Sequence, residues 1–102
     1  MICALTVRNI KPGKFDDFHD AFMAGMDEGD PPPGFIRFDM VRNTDQPDEV
    51  ICFGLFEGSA SQLRESADAN GYAEQMERIA PYVDSVGADG LYEVVEELNP
   101  GR

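Results

Sequence analysis

His19 is the only histidine in the chain. An imidazole titrates near neutral pH and can serve as a general base. It neighbours Phe18 and Phe22, so its other reading is a helix-surface or cavity-edge side chain. Tyr72 offers a phenol that can hydrogen-bond a ligand oxygen while its ring packs on the ligand. The alternative is a core ring with a wet hydroxyl. Asn70, two residues before it, can orient a ligand oxygen or end a helix. Arg37 and Asp39 share one face of an alternating segment and can pair across it. Arg37 can instead stabilise an enolate or phenolate. Six phenylalanines, Phe15, Phe18, Phe22, Phe38, Phe53 and Phe56, read mostly as core. Phe22 and Phe53 are the candidates for a flat apolar pocket.

Other chemistries find no footing. One histidine with scattered carboxylates is a poor set of transition-metal ligands, so no metal is expected. Cys3 and Cys52 stand in no metal or redox spacing and read as reduced, buried thiols. The chain has no glycine-rich phosphate loop, no Cys/His nucleophile pair and no Gly-x-Ser-x-Gly elbow. Acidic residues number 20 against 8 Lys plus Arg, a formal net charge of -12. A field of that sign repels phosphate backbones and anionic lipid, so neither nucleic acid nor membrane is expected as a partner. No apolar run approaches the roughly 20 residues that cross a bilayer. The apolar start lacks a basic n-region and a cleavage site, so a cytoplasmic location is expected.

The elements that must hold these residues follow from periodicity. With 102 residues there is room for one core. Met1 to Val7 reads as a strand, broken by Lys11-Pro12-Gly13. Phe15, Phe18, Phe22 and Met26 step by three and four, predicting a helix over Lys14 to Glu28 that stops at Gly29. Phe35 to Arg42 alternates and Val50 to Phe56 is apolar; with the turn cluster 43–48 between them they predict a hairpin. Ser59 and Gln62 form a capping-box signal for a second helix. Its two stripes, Leu63 with Ala67 and then Tyr72, Met76, Ile79 and Val83, fall out of register. The helix is therefore expected to break near Gly71 and end at Gly87, with a last strand over Leu91 to Leu98. Residues 1–98 would be one domain and 99–102 a tail.

The order is β-α-β-β-α-β, a ferredoxin-like α+β arrangement. The first and third strands are apolar on both faces and the others mix in polar residues, which predicts sheet order 4-1-3-2. Right-handed crossovers put both helices on one face. The other face then shows Cys3, Leu5 and Val7 with alternate residues of the third strand. An apolar patch of several hundred Å² is abnormal on a monomer. Pairing with the same face of a second copy is the simplest cover, which predicts a homodimer.

With these features the chain resembles the dimeric α+β barrel superfamily, and within it the antibiotic-biosynthesis-monooxygenase-like domains. The residues that carry the likeness are Pro33-Gly34-Phe35, Asp45-Gln46-Pro47-Asp48-Glu49, Phe56-Glu57-Gly58-Ser59 and Asn70-Gly71-Tyr72. The resemblance implies a ligand cavity between sheet and helices. Where its haem-degrading branch has an Asn, a Trp and a His, this chain has Thr6, Ser66 and Met76, and it contains no Trp. No haem or other cofactor is therefore expected, and those three positions become candidates for ligand contact. The implied activity is cofactor-independent monooxygenation of a hydroquinone or phenolic polyketide-like molecule, with His19, Tyr72 and Asn70 as the catalytic candidates. Thr6, Arg37, Phe22, Phe53, Ser66 and Met76 are the substrate-binding candidates, and an apolar or aromatic small molecule is the expected partner. A non-catalytic dimeric binding module is the alternative. An isomerase or cyclase would need a converging acid and base.

Overall fold

The computed structural model describes residues 1–26, 31–69 and 71–98. Strand β1 spans Ile2–Ile10, three residues past the expected end at Val7, and turns through Lys11 to Gly13. Helix α1 covers Phe15–Met26 and buries Phe18 and Phe22, the middle of the predicted stripe. The expected extension to Glu28 and stop at Gly29 lie outside the described residues, as does the tail 99–102. Strands β2 (Phe35–Arg42) and β3 (Glu49–Phe56) form the hairpin. Its turn is organised by Asn43, whose Oδ1 accepts the backbone N–H groups of Asp45 and Gln46 at 2.8 and 3.1 Å, an Asx turn.

Helix α2 (Ala60–Ala69) opens with the capping box: Gln62 N–H donates to Ser59 Oγ at 3.2 Å, and Ser59 N–H to Gln62 Oε1 at 3.0 Å. The break is at Gly71, with φ at 78°, a left-handed conformation that suits glycine. Helix α3 follows over Tyr72–Ile79. The expectation of a helix running to Gly87 is corrected. Pro81 has no N–H to continue the ladder, so α3 ends at Ile79 and a 3₁₀ turn, Ala80–Tyr82, leads directly into strand β4, Val83–Glu93. Gly87 lies inside that strand, where the pairing with β1 slips between Val7 and Arg8, the signature of a bulge. Residues 94–98, expected as strand, are not part of it.

The sheet is antiparallel throughout with order β2-β3-β1-β4, equivalent to the predicted 4-1-3-2. Register assigns the faces. Arg8 pairs with Val50, Thr6 with Cys52 and Ala4 with Gly54. Arg8, Val50, Cys52 and Gly54 are buried, so this set lies under the helices. Ile10, Phe18, Phe22, Val50, Cys52 and Ile79 make the core, with Phe38, Met40 and Met76 packed against it. The opposite face carries Cys3, Leu5, Val7, Ile51, Phe53 and Leu55, none of them fully buried. Val41 and Tyr92, which pair with Ile51 and Cys3, extend it.

Two contacts fix the helical layer. Gln75 Nε2 donates to the Phe22 carbonyl at 2.9 Å, tying α3 to α1. The same amide lies where a side chain at Gly25 would be, so the crossing requires glycine there. At the hairpin end the Arg42 guanidinium stacks 3.8 Å from the Phe15 ring centroid and donates from Nε to the Pro47 carbonyl at 3.0 Å.

Candidate functional site

The side chains between α3 and the β1–β4 half of the sheet combine charge, hydroxyls and apolar surface. Alternation along β1 points Thr6 and Arg8 to the helix side. Thr6 Oγ1 donates to Asp89 Oδ1 of the adjacent β4 at 3.4 Å. Arg8 is 4% exposed. Its Nη2 meets Met76 Sδ at 3.5 Å, its Cζ lies 6.0 Å from the Phe18 ring centroid, and it is within electrostatic reach of the Cys52 thiol. Met76 stands one helical turn after Tyr72 on α3, so both look down on this group. Tyr72 is 43% exposed.

The electrostatics reflect that mixture. Burial is the main cause that raises the Tyr72 phenol above its ordinary pKa of 10.0; Asp89 pushes it further up and Arg8 pulls it down. Tyr72 is thus a hydrogen-bond donor at neutral pH, within electrostatic reach of both a carboxylate and a guanidinium. Burial likewise raises the Cys52 thiol above 9.0, opposed by Arg8. A thiol held protonated is a poor nucleophile.

Four of the expected site residues, Thr6, Phe22, Tyr72 and Met76, lie on this helix side. Ser66 is on α2, in a separate cleft of about 690 Å³ between that helix and the loop before β2, lined also by Pro33, Gly34, Glu57 and Leu63. Its lining includes none of Thr6, Arg8, Tyr72 or Asp89. Arg37 and Phe53 are on the opposite face of the sheet. There Arg37 Nη2 and Nε reach Asp39 Oδ2 at 2.7 and 2.8 Å, the anticipated pair. His19 is on an open flank of α1, its side chain 47% exposed, stacked on Phe15 at 5.9 Å and 3.8 Å from Asp20. Asn70 lies outside the described residues.

Arg8 and Asp89 escaped the sequence reading for one reason. Stopping the first strand at Val7 removed Arg8 from it, and carrying the helix to Gly87 left Asp89 in a loop. The usable signal was the alternation Leu5, Thr6, Val7, Arg8, with Ile10 beyond it and the first turn-forming pair only at Pro12-Gly13. Among the described residues no three His, Cys, Asp or Glu side chains converge as a metal site, and no helix is long and apolar enough to cross a membrane.

A β-α-β-β-α-β chain with this sheet order is matched by a known family. The profile of antibiotic biosynthesis monooxygenases matches residues 1–77, and the chain belongs to that family. None of the curated proteins is similar enough in sequence to count as a relative. Solved structures show the shared fold at low identity. SnoaB, a cofactor-independent oxygenase from Streptomyces nogalater, superposes with a TM-score of 0.70 at 14% identity, covering 95% of each chain. A Mycobacterium tuberculosis protein superposes at 0.76 and 14% identity, covering 96% of this chain and 98% of its own. A conserved protein from Methanosarcina mazei Go1 does so at 0.75 and 14%, covering 89% of each.

Proposed function

We propose that this protein is a cofactor-independent monooxygenase acting on a hydroquinone or phenolic polyketide-like small molecule, bound between α3 and the β1–β4 half of the sheet. The observation that carries the reading is the place of Tyr72: a phenol on α3 one turn before Met76, within electrostatic reach of both Asp89 and Arg8. Membership of the monooxygenase family supports it, and so does the fold shared with SnoaB, an oxygenase that needs no cofactor. The substrate supplies the four electrons and oxygen accepts them all. The phenol loses its proton, and the electron-rich ring carbon reduces oxygen and forms a C–O bond. The O–O bond then breaks, one oxygen leaves as water and the other stays as a quinone carbonyl. Asp89 takes the proton, and Tyr72 and Thr6 steady the phenolic oxygen; Asn70, two residues before Tyr72 in sequence, is the further candidate.

In the same reading two copies pair through the face that carries Leu5 and Phe53, which leaves both helical layers outside. The test is oxygen uptake with a panel of hydroquinones and anthrone-type phenols. Wild type should consume one oxygen per substrate, and Tyr72→Phe should lower kcat about 10-fold or more, the range for one positioned hydrogen-bond donor. A ligand that binds but is never oxidised, across the whole panel, would replace this reading with the binding module.

A further inference from the structure

We infer that the ligand of this site carries a carboxylate and that the buried Arg8 guanidinium holds it. The inference rests on the reading of the α3–sheet space as the ligand site and adds the ligand's charge. Arginine cannot shed its proton to escape burial. A buried cation is ordinarily matched by an anion. Here the partners around Arg8 are a thioether, a thiol and a phenyl ring. The chain has 20 acidic residues, yet none of the described ones comes within ion-pair distance of Arg8, whereas Lys14, His19 and Arg37 each have a carboxylate within 4 Å. Asp89, the acid closest along the sheet, is engaged with Thr6 instead.

The environment also says which anion fits. A simple phenol has a pKa near 10 and arrives neutral at pH 7, so it leaves Arg8 uncompensated on binding. A carboxylate arrives charged, and its two oxygens match the guanidinium fork. Met76 covers the guanidinium with a weak acceptor on a flexible, half-buried side chain. A carboxylate entering beneath α3 displaces that sulfur and gives Arg8 a far stronger partner. The net charge of -12 repels such a ligand at long range, so affinity comes from this local pair and not from steering.

The experiment compares 2-naphthoate with its neutral isostere 2-naphthamide by fluorescence titration, which the absence of tryptophan leaves free of indole emission. Wild type should bind naphthoate about 10-fold or more tighter than the amide, the size of a charge-assisted hydrogen bond. Arg8→Met should abolish the preference, read as the ratio of the two affinities in the variant. Arg8→Lys should keep part of it, having the charge without the fork. Equal affinity of wild type for the two probes overturns the inference, as does a preference that survives in Arg8→Met or a failure to bind naphthoate at millimolar concentration. The wild-type comparison stands even if Arg8→Met fails to fold. Failure of oxygen uptake with carboxylated as well as neutral hydroquinones, while naphthoate selectivity holds, bears on the proposed reaction alone, and loss of naphthoate selectivity with uptake intact bears on this inference alone.

Discussion

The two faces of one sheet have been put to opposite uses. Under the helices, Val50 and Phe18 are fully shielded at 0% exposure, and a permanent charge, Arg8, is buried with them. On the other face Leu5, Val7, Ile51, Phe53 and Leu55 form an apolar surface with no described helix laid over it. Its polar feature on β2 is the Arg37–Asp39 pair. Hydrophobicity by itself does not separate the faces, because both are built from the same two apolar strands. What separates them is the cover. The helix face is closed by its own chain and has room for polar groups with specific partners. The open face has no cover from the described residues and is apolar apart from the Arg37–Asp39 pair, as a surface that meets a copy of itself would be.

Two substitutions break the contrast at its strongest points. Phe18→Ala empties the middle of the covered core and should cost about 3–5 kcal/mol, the range for a fully buried phenylalanine, read by chemical denaturation. Its effect should not depend on protein concentration. Phe53→Glu on the open face should do the reverse. It places a carboxylate beside Leu5 in each copy and should weaken self-association about 100-fold or more, roughly 2.7 kcal/mol, with the helix-side core left folded. Sedimentation velocity over a concentration series checks it. Wild type sedimenting as a folded single chain at all concentrations would remove the reason given for the open face, and a Phe53→Glu protein that unfolds outright would show that face to be core.

How much of this could be read beforehand follows the same division. Local signals were reliable where one physical rule acted alone. Ser59 and Gln62 cap α2 as their spacing predicts, Gly71 breaks the helix, and the apolar runs of β1 and β3 gave the strand order. The boundaries failed where two rules overlapped. Val83 continues the helical stripe of Tyr72, Met76 and Ile79 in spacing, but Pro81 ends that helix and Val83 opens β4 opposite Ile10. The candidate site suffered from this directly, because Arg8 and Asp89 sit in the stretches that were misassigned. A charged residue in an apolar strand reads as a strand end until the helix that buries it is in place. Arg37 and Phe53 were grouped with Thr6 because residue type alone does not say which face a strand residue takes. Register does, and it divides them.

The finest test of the contrast is the titration of Tyr72, since its neighbours pull in opposite directions. Burial raises its pKa above 10.0, Asp89 adds to that and Arg8 subtracts. Asp89→Asn should therefore move the Tyr72 midpoint down, and Arg8→Met should move it up. Each is measured by ultraviolet difference titration against the matching Tyr72→Phe protein. The stability consequence has a definite sign. Because the folded pKa is raised, the unfolded chain releases this proton first as pH climbs past 10.0, so stability falls with rising pH from there through the folded value. Below pH 10 this group contributes no slope, and the phenol is available as a donor across the neutral range. Phe53→Glu, on the far face, should leave the midpoint where it is. A shift there as large as that from Asp89→Asn would mean that the two faces are coupled through the sheet, and the division of labour between them would have to be given up.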